Sequence, residues 1–207
     1  MFKIGIQKGG RLTTPSIEYL ASLGIEVPRN GRELMILAGD FKILFLRQKD
    51  IPEFVERGII DFGIVGTNAI LEKQSKVDII KELGFCKCSL VIAGPSNISI
   101  TALNGERIAT SFPNLLRSFL QKNKINASII EVQGSVEVIP AMGLADAVCD
   151  LVQTGSTLKD NNLVPIATVL ESQAVLISNP NSTKKWRFYH QKMLKNGKGY
   201  LLMRKLS

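Results

Sequence analysis

Phe2-Lys3-Ile4-Gly5-Ile6-Gln7-Lys8-Gly9-Gly10-Arg11-Leu12-Thr13-Thr14-Pro15 reads as three consecutive pieces of one α/β unit. Phe2 to Ile6 carry the apolar residues of a strand. Gln7 to Arg11 form a polar loop around two glycines. Thr14 as N-cap, with Pro15 at the first helical position, then opens a helix. The spacing puts Ile17, Leu20 and Ala21 on one helical face, and Gly24 ends the segment. A strand, a glycine loop and an amphipathic helix in that order place the loop at the carboxyl end of the strand, where open α/β sheets bind ligands.

The same alternation continues outward. Leu34 to Ala38 and Ile43 to Leu46 flank Gly39-Asp40 and predict a hairpin-like pair. Asp50, with Glu53, predicts a capping-box start to a helix that Gly58 ends. Asp61-Phe62-Gly63-Ile64-Val65-Gly66 is a strand running into a glycine. Further strands are expected at Leu90–Ala93, Ile108–Ala109, Ser128–Glu131, Ala147–Val152 and Val164–Val169. Helices are expected at Pro113–Lys122 and Val136–Leu144, the second interrupted by Pro140. The sequence shows no internal repeat. Polar stretches near residues 94–106 and 171–181 suggest two crossings between lobes. The expected fold is therefore α/β in two lobes: residues 1–92 with 171–207 as a discontinuous first lobe, and 93–170 as the second.

Composition narrows the function. Of 207 residues, 45% are hydrophobic and 21% charged, which excludes a disordered or collagen-like chain. No apolar run approaches the roughly 18 residues of a membrane span, and Lys8 interrupts any signal-peptide core. Three cysteines without framework spacing point to a reducing cytoplasm. The net charge of +8 suggests a nucleic-acid partner until the charge is located. Residues 1–180 hold 18 basic and 18 acidic side chains, whereas residues 181–207 hold eight basic and no acidic ones. The basicity belongs to a tail, so neither nucleic acid nor membrane is the expected partner of the body.

Asp150-Leu151-Val152-Gln153-Thr154-Gly155-Ser156-Thr157-Leu158 carries the strongest chemical signal. An apolar strand delivers hydroxyls and a glycine to the start of a helical stretch. Backbone N–H groups there suit an anion, Thr154, Ser156 and Thr157 add donors, and Gly155 lets the backbone approach closely. The competing interpretation is an ordinary strand-to-helix turn with capping hydroxyls. Asp150, a carboxylate in an apolar run, needs a partner, which a ribose hydroxyl would supply. Lys8 and Arg11 flank two glycines in a manner that suits a polyphosphate, or form a solvated basic turn. Asp61 is either a surface residue or a hydrogen-bonding partner for a base or ribose. Gly134-Ser135, before Glu137, is expected to open a helix of the anion-binding kind. The sole histidine, His190, lies in the tail, which excludes histidine triads and multi-histidine metal sites. Cys86, Cys88 and Cys149 are expected to be incidental or buried thiols.

Read together, Ile4 to Leu12, Arg47 to Val55, Asp61 to Gly66, Arg107 to Leu115, Gly134 to Val138, Gly143 to Ala147 and Asp150 to Leu158 resemble, in order, the catalytic part of the ATP phosphoribosyltransferase family. The likeness spans about residues 2–180. It implies two α/β lobes similar to periplasmic binding proteins, with the active site in the cleft between them. It implies that adenine N1 of ATP displaces pyrophosphate from phosphoribosyl pyrophosphate (PRPP), with Mg²⁺ accompanying the pyrophosphate, at the entry to histidine biosynthesis. On this likeness the Thr154–Thr157 loop, with Gly155 and Ser156, holds the 5-phosphate and Asp150 lies by the ribose hydroxyls. Lys8 and Arg11 face the polyphosphates, and Asp61 lies in the nucleotide subsite. A non-catalytic two-lobed binding module is the alternative.

Family likeness also implies a homo-oligomer. The length suggests the short form, which works with a regulatory subunit resembling histidyl-tRNA synthetase. The likeness stops after Pro180, and both a truncated or frameshifted long form and a divergent short-form tail account for the acid-free residues that follow.

Overall fold

A computed structural model describes residues 1–28, 33–96 and 99–182; the basic tail from residue 183 and His190 lie outside the described residues. The chain divides into two units, Met1–Cys86 with Gln173–Ser207, and Lys87–Ser172. The crossings thus lie at residues 86–87 and 172–173, and the stretch at 94–106 expected to be one belongs wholly to the second unit.

The first unit contains β1 (Phe2–Gln7), α1 (Thr13–Ser22), β2 (Met35–Ala38), β3 (Phe41–Leu46), α2 (Ile51–Glu56), β4 (Phe62–Gly66), α3 (Thr67–Lys73) and β5 (Asp78–Glu82). The second contains β6 (Cys88–Gly94), β7 (Arg107–Thr110), α4 (Pro113–Lys122), β8 (Ser128–Glu131), β9 (Ala147–Val152), α5 (Ser156–Asp160) and β10 (Val164–Ser172), after which β11 (Ala174–Ser178) returns to the first sheet. The sheets run β2-β3-β1-β4-β11-β5 and β10-β6-β9-β7-β8. In each, three neighbouring strands are parallel: β3, β1 and β4 in the first, and β8, β7 and β9 in the second, where β8 is the edge.

Parallel strands covered on both faces explain the near-continuous apolar runs. Ile4, Ile6, Ile43 and Ile64 pack with Leu20 and Leu23 on one face of the first sheet, and Ile51, Val55, Val65 and Ile177 fill the other. Leu90, Ile92, Ile108 and Cys149 pack with Leu116 and Leu120 of α4 in the second unit. Each fully buried aliphatic side chain of this kind is worth about 1.5–3 kcal/mol.

Local details depart from expectation for identifiable reasons. Helix α1 starts at Thr13, whose hydroxyl donates to the Gln7 carbonyl (2.9 Å). Its inward residues are Ser16, Leu20 and Leu23, while Ala21 is exposed. Asp50 makes no capping bond, because a 3₁₀ turn, Gln48–Asp50, runs straight into α2 and leaves Asp50 helical (φ −93°, ψ −22°) rather than extended. The helix expected over 136–144 is two 3₁₀ segments, Val136–Val138 and Pro140–Met142, since Pro140 has no N–H to continue a helical ladder. Gly134-Ser135 therefore opens no α-helix. The hairpin around Gly39-Asp40 forms with Ala38 opposite Phe41. Among the described residues all three cysteines are free, with Cys88 and Cys149 buried.

A short motif recurs once in each unit, although the sequence as a whole does not repeat. Gly58-Ile59-Ile60-Asp61 precedes β4, and Gly143-Leu144-Ala145-Asp146 precedes β9. In both, the second residue is exposed and the third buried. The aspartate closes a parallel pair at its amino end. Asp61 N–H donates to the Lys3 carbonyl (3.0 Å) while its Oδ2 accepts the Lys3 N–H (2.9 Å). Asp146 N–H donates to the Arg107 carbonyl (2.8 Å) while its Oδ2 accepts the Arg107 N–H (2.9 Å). Arg107 adds its guanidinium, with Nε to Oδ2 at 2.9 Å and Nη2 to Oδ1 at 2.8 Å. Hydrogen bonds from the Arg107 side chain and backbone hold the Asp146 carboxyl well below the usual carboxylate range.

A carboxyl with a depressed folded-state pKa stabilises the fold above its unfolded value, near 4, and loses that contribution as pH falls toward the folded value. Both side chains of the pair are partly exposed, so water screens it and the effect is modest. Asp146→Asn should lower the thermal midpoint by a few degrees at pH 7, with the gap to the unaltered protein closing as pH drops below about 4. Melts recorded from pH 7 to pH 3 check this, and a gap independent of pH would contradict it.

Candidate functional site

In a parallel pair clamped at the amino end, the loops leave together at the carboxyl end. In the first sheet these are the exits of β1, β3 and β4. Gln7 is paired with Leu46, and Lys8 N–H donates to the Leu46 carbonyl (2.7 Å), so the Lys8–Arg11 loop and the Arg47–Gln48 turn start side by side. Lys8, Gly9, Gly10 and Arg11 are exposed, and Lys8 has no ion-pair partner among the described residues. The Cys86 thiol donates to the Arg11 carbonyl (3.3 Å), tying the loop to the last residue before the crossing. Leu12 N–H donates to Gln7 Oε1 (3.2 Å), and the Thr13 hydroxyl closes onto the Gln7 carbonyl. The loop is therefore built on Gln7. Gly10 has φ +95°, a conformation that favours glycine, and a Cβ there would stand 2.8 Å from Gln7 Nε2 and displace the end of that side chain.

In the second sheet the corresponding exits are those of β7, β8 and β9. Thr110, fully buried, donates its hydroxyl to the Cys149 carbonyl (2.7 Å) and accepts from Phe112 N–H (2.9 Å), which fixes the turn into α4. Asp150 is half-buried near the end of β9, and its Oδ1 accepts from the Leu151 N–H (2.8 Å). Beyond it Thr154, Ser156 and Thr157 are exposed, and the Thr154 and Ser156 hydroxyls lie 3.1 Å apart. Gly155 takes φ +79° at the start of α5, as a left-handed entry residue. Leu158 is buried beneath the turn and anchors it.

The structure thus brings Asp150 and Thr154–Thr157 together at one strand exit of the second unit. Lys8 and Arg11 sit together at a strand exit of the first. Asp61 is not brought to either. It lies at the opposite, amino end of β4, and its carboxylate is engaged by the Lys3 N–H and the Ser182 hydroxyl (2.8 Å). At that end it has a structural role, for which Asp146 is the counterpart. Two residues that shape the exits escaped the sequence reading, Gln7 and Thr110. Thr110 directly follows an apolar strand and precedes Phe112-Pro113, which is the only signal that could have found it. Among the described residues no three of His, Cys, Asp and Glu gather into a metal-binding group, and no helix is long and apolar enough to cross a membrane.

The sequence profile of the family described as HisG: ATP phosphoribosyltransferase matches residues 47–197. A curated relative from Cytophaga hutchinsonii, named ATP phosphoribosyltransferase, is 45% identical over 185 residues, covering 87% of this chain and 65% of its own length. One of the same name from Bacteroides thetaiotaomicron is 45% identical over 186 residues, covering 87% and 66%. The chain thus spans about 65% of the length of these relatives. Among solved structures, the ATP phosphoribosyl transferase (HisG:HisZ) complex from Thermotoga maritima matches with a TM-score of 0.82 at 30% identity, covering all of this chain and 96% of that one. The alkanesulfonate-binding protein SsuA from Xanthomonas axonopodis matches with a TM-score of 0.58 at 17% identity, covering 94% of this chain and 70% of that one, a likeness of fold alone.

Gly10→Ala should cost about 1–2 kcal/mol of stability, because the new Cβ meets the Gln7 carboxamide in a backbone conformation that alanine resists. Gly9→Ala, with φ +68° but open space around its Cβ, should cost less. Urea denaturation of the two variants orders them, and equal losses would show that Gln7 does not crowd Gly10.

Proposed function

The chain belongs to the ATP phosphoribosyltransferase family, and on that premise we propose that it transfers the phosphoribosyl group of PRPP to N1 of the adenine of ATP, releasing pyrophosphate and giving N1-(5-phosphoribosyl)-ATP, the first step of histidine biosynthesis. The observation that carries this reading is the family match across residues 47–197, which contains Asp150 and the whole Thr154–Thr157 loop. The match to relatives of the same name extends it over most of the chain.

In the displacement the anomeric C–O bond to pyrophosphate breaks, the C–N1 bond forms, and positive charge grows on the sugar as the anion departs. Such a step is served by positioning and by groups already oriented toward the charges that develop. The Thr154–Thr157 loop receives the 5-phosphate through hydroxyls and backbone N–H groups. Asp150 accepts hydrogen bonds from the ribose hydroxyls and keeps a negative charge near the sugar as it turns cationic. Lys8 and Arg11 meet the polyphosphate charge, and the exposed ammonium of Lys8, without an ion-pair partner among the described residues, is suited to a departing anion. Mg²⁺ enters as the counter-ion of the pyrophosphate group and so belongs to the substrate. Asp61 makes no substrate contact in this reading.

The HisG:HisZ complex that gives the TM-score of 0.82 supports a further part of the proposal, association with a second, regulatory subunit. That this subunit resembles histidyl-tRNA synthetase, and that the chain forms a homo-oligomer, rest on the family likeness. The three free cysteines suit a cytoplasmic setting.

Incubation with ATP, PRPP and Mg²⁺, with and without such a subunit, should yield the phosphoribosylated nucleotide and pyrophosphate in equal amounts. Tight binding of both substrates with no product would favour the non-catalytic module instead. The double variant Thr154→Ala, Thr157→Ala should raise the KM for PRPP by about tenfold or more while leaving the KM for ATP near its original value. Unchanged kinetics would refute the phosphate-loop assignment.

A further inference from the structure

We propose that Gln7 is a positioning residue of the Lys8–Arg11 loop and that its side-chain amino group is a hydrogen-bond donor to the anion that loop holds. The inference rests on the reading of this loop as the polyphosphate site. Gln7 is the last residue of β1 and is half-buried. Its Oε1 accepts the Leu12 N–H at 3.2 Å, so the carboxamide bridges the loop from its first residue to the one after Arg11. A backbone N–H can face only the oxygen of the carboxamide, which settles the orientation and turns Nε2 away from Leu12. Nε2 has no hydrogen-bond partner among the described residues. It lies beside Gly10, since a Cβ there would be 2.8 Å from Nε2 and 3.1 Å from Cδ.

A half-exposed amide donor beside an exposed lysine complements that lysine. Lys8 supplies charge without direction, while a fixed N–H₂ group supplies direction without charge. The same carboxamide therefore has two separable tasks: its oxygen holds the loop and its nitrogen faces what the loop binds.

Glutamate and methionine separate these tasks. Gln7→Glu keeps an acceptor for the Leu12 N–H but replaces the donor with an anionic oxygen, whereas Gln7→Met removes both. Titration calorimetry of the full chain with inorganic pyrophosphate and Mg²⁺ should show at least tenfold weaker binding for Gln7→Glu, with Leu12 amide hydrogen exchange unchanged. Gln7→Met should weaken binding and also accelerate exchange at Leu12. Pyrophosphate affinity unchanged in Gln7→Glu overturns the donor role, and unchanged Leu12 exchange in Gln7→Met overturns the positioning role. Lys8→Ala identifies which reading has failed. If it weakens binding and Gln7→Glu does not, the fault lies with Gln7 alone. If Lys8→Ala binds pyrophosphate like the original protein, the loop is not the polyphosphate site and the donor role falls with it.

Discussion

The aspartate that closes each central parallel pair is the constraint on which the arrangement of exits depends. A parallel pair has no hairpin to set its register, and the pairing of β1 with β4 is short, with only Ile4 opposite Phe62 and Gly5 opposite Gly63. A slip of one residue would turn every side chain of the strand to the opposite face and into the wrong packing layer. Asp61 and Asp146 lengthen their ladders at the amino end, each giving one backbone N–H and taking another on its carboxylate. The carboxylate replaces a carbonyl that the incoming chain, still turning, cannot present. With that end fixed, the opposite ends of β1 and β4, and of β7 and β9, are fixed by strand length alone.

The two sheets then correspond strand for strand. Read outward from the parallel trio, β3-β1-β4-β11-β5 matches β8-β7-β9-β6-β10, with parallel and antiparallel pairs at the same places. Strand order and direction recur although the residues do not, apart from the glycine-to-aspartate signature. The exits show why the sequences diverged. At the exit of β1 a glutamine carboxamide spans a glycine loop, and at the exit of β7 a buried threonine hydroxyl ties the turn to the neighbouring strand. The amino ends carry the shared structural device, and the carboxyl ends are free to differ.

This division explains what was legible in the sequence. The strands Ser128–Glu131 and Ala147–Val152 and the helix Pro113–Lys122 are readable to the residue because each has a strong local pattern and a clear boundary. The strand Ala174–Ser178 was hidden inside a polar-looking stretch, because four apolar residues between Gln173 and Asn179 resemble a linker until Val175 and Ile177 are seen buried in the sheet. Helix α3 starts on the residue after β4, leaving no loop to announce it. The structural role of Asp61 was hidden for a related reason. A carboxylate at a strand start looks the same in sequence whether it meets a ligand or a neighbouring strand, and only the partner at position 3, 58 residues away, distinguishes them. The turn at Thr154–Thr157 and the loop at Lys8–Arg11 were readable as strand exits because their signals are local, whereas the Gln7 bridge was not, since it depends on where the carboxamide points.

Charge gives the last step. The first 180 residues are balanced, 18 basic against 18 acidic, so the net charge of the body supplies no attraction for phosphate compounds. On the proposed function, anion binding then comes from short-range donors whose worth depends on direction. The Thr154–Thr157 segment makes the point sharply, because it contains no charged side chain at all. A neutral cradle holds a dianion only if its hydroxyls and N–H groups converge, and convergence requires Gly155 in its left-handed conformation and the end of β9 at a fixed height. That height is set at Asp146, one residue before β9 begins and nine before Gly155. Because strand and turn are continuous, a carboxylate at the amino end of the sheet governs the geometry of the Thr154–Thr157 turn, the proposed anion site, at its carboxyl end without touching it.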